Sequence, residues 1–239
     1  MPADIAIIIP VFNEAENVLP LADEVAEALK LESRVWELVF VDDASSDSTW
    51  EKIGEARRGE PRVRGLRHAK NSGQSAAVWT GIQATTAPIL ATLDGDRQND
   101  PADLPRLLAE LASVDFVCGV RVNRQDSLVR RLSSRIARWA RRMALSEDFA
   151  DTGCALRVFK RGAIEGVFPF NGWHRFLPLL VHAAGLSTKE VPVNHRPRVA
   201  GVSKYGVWNR LGRGLFDLVG VAWYLRRRLR PVSFTRLEG

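Results

Sequence analysis

Ile89-Leu90-Ala91-Thr92-Leu93-Asp94-Gly95-Asp96-Arg97-Gln98 is the stretch on which the fold turns. Five mostly apolar residues, Ile89–Leu93, read as a buried strand, and the polarity reverses abruptly at Asp94. Upstream, the same change happens twice. The isoleucine-rich run Asp4–Pro10 gives way to Val11-Phe12-Asn13-Glu14, and Trp36–Val41 gives way to Asp42-Asp43-Ala44-Ser45-Ser46-Asp47. Helical patterns alternate with these strands, at Glu14 to Leu31, after Ser48, at Ser72–Thr86 and at Pro101–Leu111, where proline stands near the first turn. Val63–His68 and Val114–Val120 supply two more strands. This alternation predicts an α/β fold with a parallel or mostly parallel sheet covered on both faces. Ligands of such sheets bind beyond the carboxyl ends of the strands, where the acidic residues fall.

Asp94 and Asp96 are two carboxylates separated by one glycine, with the amide oxygen of Gln98 two residues on. Hard divalent cations such as Mg2+ and Mn2+ prefer oxygen ligands of this kind and keep positions open for substrate phosphates. An Asp-Gly turn gives the same letters, and the strand end before it is what favours a metal. For Asp42 and Asp43 the spacing allows one to cap the following helix and the other to face the cleft and accept hydrogen bonds from a base or ribose.

The 239 residues carry a net charge of +6, unevenly distributed. Residues 1–120 hold 11 Lys+Arg and 20 Asp+Glu, a net −9, and residues 121–239 hold 23 and 8, a net +15. A basic half points to an anionic partner (phospholipid headgroups, a phosphorylated substrate or nucleic acid) or to a solvated charged surface. Nucleic acid is not expected: the basic residues come without a reader motif, and the acidic half would repel a polyanion. Much of the positive charge lies in 127–145, a basic amphipathic helix pattern with Leu128, Leu132, Ile136 and Trp139 on one stripe. The apolar, aromatic segment 205–239 ends in a second arginine cluster, Arg226-Arg227-Arg228-Leu229-Arg230. No apolar run reaches the roughly 20 residues of a membrane span, and the opening Met1-Pro2-Ala3-Asp4 lacks the basic start of a secretory leader. The two stripes are expected to lie at a membrane surface, or else to pack on the core or on a partner, either another copy of the chain or a membrane protein. The two cysteines, Cys118 and Cys154, lack metal-ligand spacing and read as reduced core residues. No zinc site is expected from the four histidines: His68 reads as orienting a loop or as catalytic, His174 as structural at a helix start or in contact with the sugar or phosphate, His182 as a core or interface residue, and His195 as facing solvent.

Six stretches together resemble the family 2 glycosyltransferases, in the branch of dolichol-phosphate mannose synthase and bacterial polyprenyl-phosphate glycosyltransferases. They are IIIPVFNEAENV, VFVDDASSDST, HAKNSGQSAAVWTGIQAT, ILATLDGDRQNDPADLPRLL, DTGCALRVFKR and VNHRPRVAGVSKYG, in family order over nearly the whole chain. The resemblance implies a GT-A fold in residues 1–204, followed by an interfacial segment, 205–239. It implies inverting transfer of one sugar, a hexose, from a GDP- or UDP-sugar to a polyprenyl phosphate at the cytoplasmic membrane face. Pro10, Phe12, Glu14, Val41 and Asp43 would line the nucleoside pocket. Asp94, Asp96 and Gln98 would hold Mg2+ or Mn2+. Arg121 would face the phosphates, Arg135 the acceptor phosphate, and Arg198 and Lys204 the donor diphosphate. The sequence departs from the family pattern at Ala155, where glycine is frequent, and at Arg138, where asparagine is frequent. It also lacks the QxxRW motif of processive synthases, which implies a single transfer.

Overall fold

The computed structural model describes residues 2–122, 149–197, 207–228 and 235, with side chains in the last helix from Phe216 onward. The expected basic helix over 127–145, with Arg135 and Arg138, and the basic pair Arg198 and Lys204 lie outside the described residues.

Among the described residues seven strands form one sheet: β1 (Ile5–Val11), β2 (Trp36–Asp42), β3 (Val63–Arg67), β4 (Ile89–Thr92), β5 (Phe116–Arg121), β6 (Arg157–Lys160) and β7 (Thr188–Val193). Their order is β3-β2-β1-β4-β6-β5-β7. Only β6 runs antiparallel to its neighbours, so the expected mostly parallel sheet is present. β1 occupies the middle, and Ile5 to Ile9 are fully buried. Such a continuous apolar run belongs to a strand covered on both faces.

The helices are α1 (Ala15–Ala28), α2 (Thr49–Gly59), α3 (Gln74–Gln83), α4 (Leu104–Glu110), α5 (Leu177–Ala183) and α6 (Val207–Arg227). One face of the sheet packs on α1, α2 and α4 through Val18, Leu21, Val25, Ile53, Leu104 and Leu107. The other packs on α3, α5 and α6 through Ala77, Ile82, Leu177, Val181, Leu218 and Val221. Helix α3 begins two residues later than the pattern Ser72–Thr86 predicts, because the Ser72 and Gly73 N–H groups donate to Asp43 instead. The apolar segment starting at Gly172 makes a single tight turn, Trp173–Arg175, before α5. Gly172 has φ +101°, and a Cβ there would lie 2.9 Å from Asp217 Oδ2, so glycine permits both the turn and the approach of α6.

Leu218 and Val221 hold α6 to the core, yet Phe216, Val219 and Trp223 are 81%, 64% and 65% exposed. Their spacing puts these three on one outward face. Among the described residues no helix is long and apolar enough to cross a membrane.

Candidate active site

The order of the strands creates a crevice. From β1 the chain steps to β2 and β3 on one side, and β4 lies on the other. The carboxyl ends of β1 and β4 therefore flank a point where the connections diverge, the usual ligand position in open α/β sheets. The loops after β1, β2 and β4 and the end of β5 meet there. They carry Phe12 and Glu14, Asp43, Asp94 to Gln98, and Arg121 respectively.

The first two loops are knitted together. The Asn13 N–H donates to Ser45 Oγ at 2.8 Å, the Ser46 N–H donates to Asn13 Oδ1 at 2.8 Å, and the Glu14 N–H donates to Thr49 Oγ1 at 2.9 Å. Asn13 adopts φ +54°, a conformation asparagine tolerates better than most residues. This arrangement leaves Pro10, Phe12 and Glu14 only half-buried at the strand end. Val41, expected beside them, stands at the end of the neighbouring β2. Its side chain is fully buried in the layer with Ala77 and Val78, because strand alternation turns it toward α3.

Asp43 is also placed differently from the expectation of a carboxylate facing the cleft. It is buried. Its Oδ1 accepts from the Ser72 N–H at 2.8 Å and lies 2.7 Å from His68 Nδ1, and its Oδ2 accepts from the Gly73 N–H at 2.7 Å. His68 bridges Asp43 to Thr80 Oγ1 at 2.9 Å, so the loop-orienting role expected for it is present. Asp42 accepts from the Ser45 N–H and pairs with Arg67 at 3.1 Å. The start of α2 is met by neither of them but by Asp47, whose Oδ1 accepts from the Thr49 N–H at 3.0 Å.

Asp94 and Asp96 lie on the turn beyond β4. Gly95 makes this turn possible, since a Cβ there would come within 2.7 Å of Val11 Cγ1. Asp96 Oδ1 accepts from the Gln98 N–H at 3.1 Å, and Asp94 Oδ1 accepts from Gln74 Nε2 at 2.7 Å. Burial and the neighbouring Asp96 charge push the Asp94 carboxyl up to about 6, against the pull of Arg157 and Arg121. Two carboxylates in mutual repulsion, with an amide side chain two residues on, form an oxygen donor set that fits a hard divalent cation. Among the described residues no group of three His, Cys, Asp or Glu side chains could hold a metal. A cation here would therefore rest on these two carboxylates, on Gln98 and on oxygens brought by a substrate.

Arg121 stands at the end of β5, and Asp151 clamps it in bidentate fashion, Nε to Oδ2 at 2.7 Å and Nη2 to Oδ1 at 2.9 Å. The Glu190 carboxylate on β7 holds the Asp151 loop by accepting from the Ala150 N–H at 2.8 Å. Arg157 is buried and donates to the carbonyls of His174 and Thr152. Sequence reading missed Gln74, Asp151 and Arg157 as site residues. Each lies within a quoted stretch, but nothing local marks it as a partner of Asp94 or Arg121.

His174 is structural. Ser75 Oγ accepts from the Gly172 N–H at 2.7 Å and lies 2.7 Å from His174 Nδ1, which ties the ring to the start of α3 and the Gly172 turn. Burial, reinforced by Arg157 and Arg175, pushes its pKa down to about 3. A lowered folded pKa means that the unfolded chain binds the extra proton first as pH falls below about 6.5. The stability from neutral His174 is complete above that value and is lost progressively toward pH 3. Between pH 7 and pH 5 this amounts to about 2 kcal/mol. Denaturant titrations at both pH values should show a difference smaller by about that amount in His174→Asn, and equal differences would contradict the assignment. His182, expected in a core or interface, is exposed and edge-on to Phe149. Cys118 and Cys154 are buried free thiols, pushed up to about 12 and 11 by burial.

Residues 6–168 match the family described as Glycosyl transferase family 2. The dodecaprenyl-phosphate galacturonate synthase of Rhizobium johnstonii is 35% identical over 240 residues, which cover 97% of this chain and 70% of that protein. The undecaprenyl-phosphate 4-deoxy-4-formamido-L-arabinose transferase of Yersinia pestis is 34% identical over 218 residues, covering 90% of this chain and 66% of that protein. The chain thus spans about two thirds of the length of these relatives. Glucosyl-3-phosphoglycerate synthase from Mycobacterium tuberculosis superposes with a TM-score of 0.67 at 17% identity, covering 93% of this chain and 80% of that one. A mannosyltransferase from Pyrobaculum calidifontis, solved with GDP-mannose and Mn2+, gives 0.65 at 21% identity, covering 97% and 66%. These likenesses identify the fold as GT-A, and with the sequence matches they assign this chain to glycosyl transferase family 2.

Proposed function

We propose that the protein transfers one sugar from a nucleotide-sugar donor to a polyprenyl phosphate. The observation that carries this reading is the placing of Asp94 and Asp96 together on the turn beyond β4 at the strand-order crevice, with the Arg121 and Arg157 guanidinium charges acting on Asp94 against its burial and the Asp96 charge. Such a site suits an anionic diphosphate held against its own negative carboxylates. The names of the two sequence relatives, at 35% and 34% identity, supply the acceptor class.

In this reading Asp94, Asp96 and Gln98 hold Mg2+ or Mn2+, which would neutralise charge on the departing nucleoside diphosphate. Pro10, Phe12 and Glu14 form the nucleoside side of the crevice, and Asp43 acts on it through the loop it holds. A phosphate monoester is already anionic at neutral pH and attacks without a general base. The protein's contribution is to bring two anions together in line, and arginine suits this because its planar fork pairs with phosphate oxygens and stays charged. Arg121 has this role from β5, and Arg135, Arg198 and Lys204 have it by resemblance.

A hydroxyl acceptor is the rival reading, and it requires a carboxylate base. Asp151 is a carboxylate beside Arg121, and the guanidinium already engages both of its oxygens, at 2.7 and 2.9 Å. Parallel assays with undecaprenyl phosphate and undecaprenol decide between them: transfer to the phosphate alone is expected, and transfer to the alcohol would overturn the proposal. Hexosyl transfer by inversion is the finer proposal. Because one relative is named for a pentose derivative, the donor panel must include pentoses.

For residues 205–239 we propose an interfacial segment docked on the cytoplasmic membrane face beside the catalytic unit 1–204. Phe216, Val219 and Trp223 would enter the headgroup region, with Arg226 and Arg227 above them. The double substitution Phe216→Ser/Trp223→Ser should cut flotation with anionic vesicles about tenfold or more, and unchanged flotation would count against this face.

A further inference from the structure

Glu24 lies on α1 and receives two guanidinium groups that are 99 residues apart in sequence. Arg97 donates to its Oε1 through Nε at 3.1 Å and through Nη2. Arg196 donates to its Oε2 through Nη1 at 2.8 Å. Arg196 also pairs with Asp100 Oδ1 at 2.6 Å, and its N–H donates to the Gln98 carbonyl at 2.9 Å. Asn99 and His195 form a β-bridge beside these contacts. Both oxygens of one largely buried carboxylate thus tie the turn after β4 to the segment after β7.

Arg97 is the residue between Asp96 and Gln98, and it adopts φ +59°. An L-residue with a long side chain reaches that region only when its surroundings hold it there. The left-handed step allows the Gln98 N–H to return to Asp96 Oδ1. On the side-chain side, Arg97 is held by Glu24. If Arg97 relaxed to an ordinary backbone conformation, that hydrogen bond would break, and the two oxygen donors flanking Arg97 would lose their common orientation.

We propose that Glu24 is a positioning residue that holds Arg97 in its left-handed conformation and thereby presets Asp96 and Gln98 for a divalent cation. The inference rests on the reading of Asp94, Asp96 and Gln98 as cation ligands. Residues that orient ligands from behind typically change metal affinity about 10- to 100-fold.

The test is Mn2+ titration of the full chain by calorimetry, with saturating UDP or GDP supplying the diphosphate oxygens and no acceptor, with circular dichroism confirming the fold. Glu24→Gln should weaken Mn2+ binding about tenfold or more. Glycine occupies positive φ without strain, so Arg97→Gly should bind like wild type, and Glu24→Gln/Arg97→Gly should regain most of the lost affinity. A merely structural role would lower thermal stability and leave the Mn2+ affinity of the folded variants equal, and that result would overturn the inference. Should Glu24→Gln not fold, Arg97→Gln removes the same contact from the other side. A loss there, absent in Arg97→Gly, supports the inference, and equal affinities overturn it. Asp96→Ala separates the two claims. Wild-type Mn2+ affinity in Asp96→Ala would overturn the cation reading itself and this inference with it. A loss in Asp96→Ala beside wild-type affinity in Glu24→Gln would overturn this inference alone.

Discussion

Replacing Asp96 with alanine should lower sugar transfer by about a thousandfold or more while the protein stays folded. The side chain sits on a turn beyond β4, not within the layers on either side of the sheet. In the turn it gives up the hydrogen bond from the Gln98 N–H, a bond worth about 1 kcal/mol. The chemistry loses far more. Asp94 would keep its place under Gln74 but would face the donor diphosphate with one carboxylate instead of two to hold a cation. Turnover measured with saturating donor, together with the circular dichroism spectrum, checks this. Near-normal turnover in a folded variant would remove the acidic pair from the mechanism.

Asp43→Ala should show the opposite signature. Its carboxylate accepts from the N–H groups of Ser72 and Gly73 and engages His68, all in a buried setting. Alanine would leave these donors unsatisfied, each at about 1–3 kcal/mol. A total loss of about 3 kcal/mol is expected, which lowers Tm by about 10 °C for a chain of this size. Asp43→Asn retains one acceptor oxygen and should recover part of the loss. Thermal unfolding of the two variants beside the donor KM decides the role. If Tm is unchanged and only the donor KM rises, Asp43 contacts the nucleoside directly and its structural part here is wrong.

These two aspartates show what the sequence could convey. The strand-then-acid pattern at Ile89–Gln98 is local, and the structure places Asp94 and Asp96 at the strand end as the pattern predicts. The same pattern at Asp42-Asp43 was equally legible, but its use depends on Ser72 and Gly73, about thirty residues away. No local rule pairs those residues. For Val41, alternation along β2 puts the side chain with Val39 toward α3, a direction that the family stretch by itself does not carry. The βα alternation through Val114–Val120 led to the parallel strands, but it held no sign of antiparallel β6, since the pattern breaks after Arg121. The Arg121–Asp151 clamp and the Glu24–Arg97–Arg196 cluster join residues 30 to 172 apart. Such pairs emerge only once the topology has brought strand ends and α1 together.

The central claim is that a sugar passes from a nucleotide to a lipid phosphate. Mass spectrometry of the lipid fraction tests it most directly, after incubation of the full chain with Mn2+, undecaprenyl phosphate and a panel of UDP- and GDP-linked hexoses, hexuronic acids and pentoses. One donor should give a lipid heavier by a single glycosyl unit attached through the phosphate, and the product should be absent with Asp96→Ala. Release of sugar to water alone, or a product linked through a hydroxyl, would contradict the account.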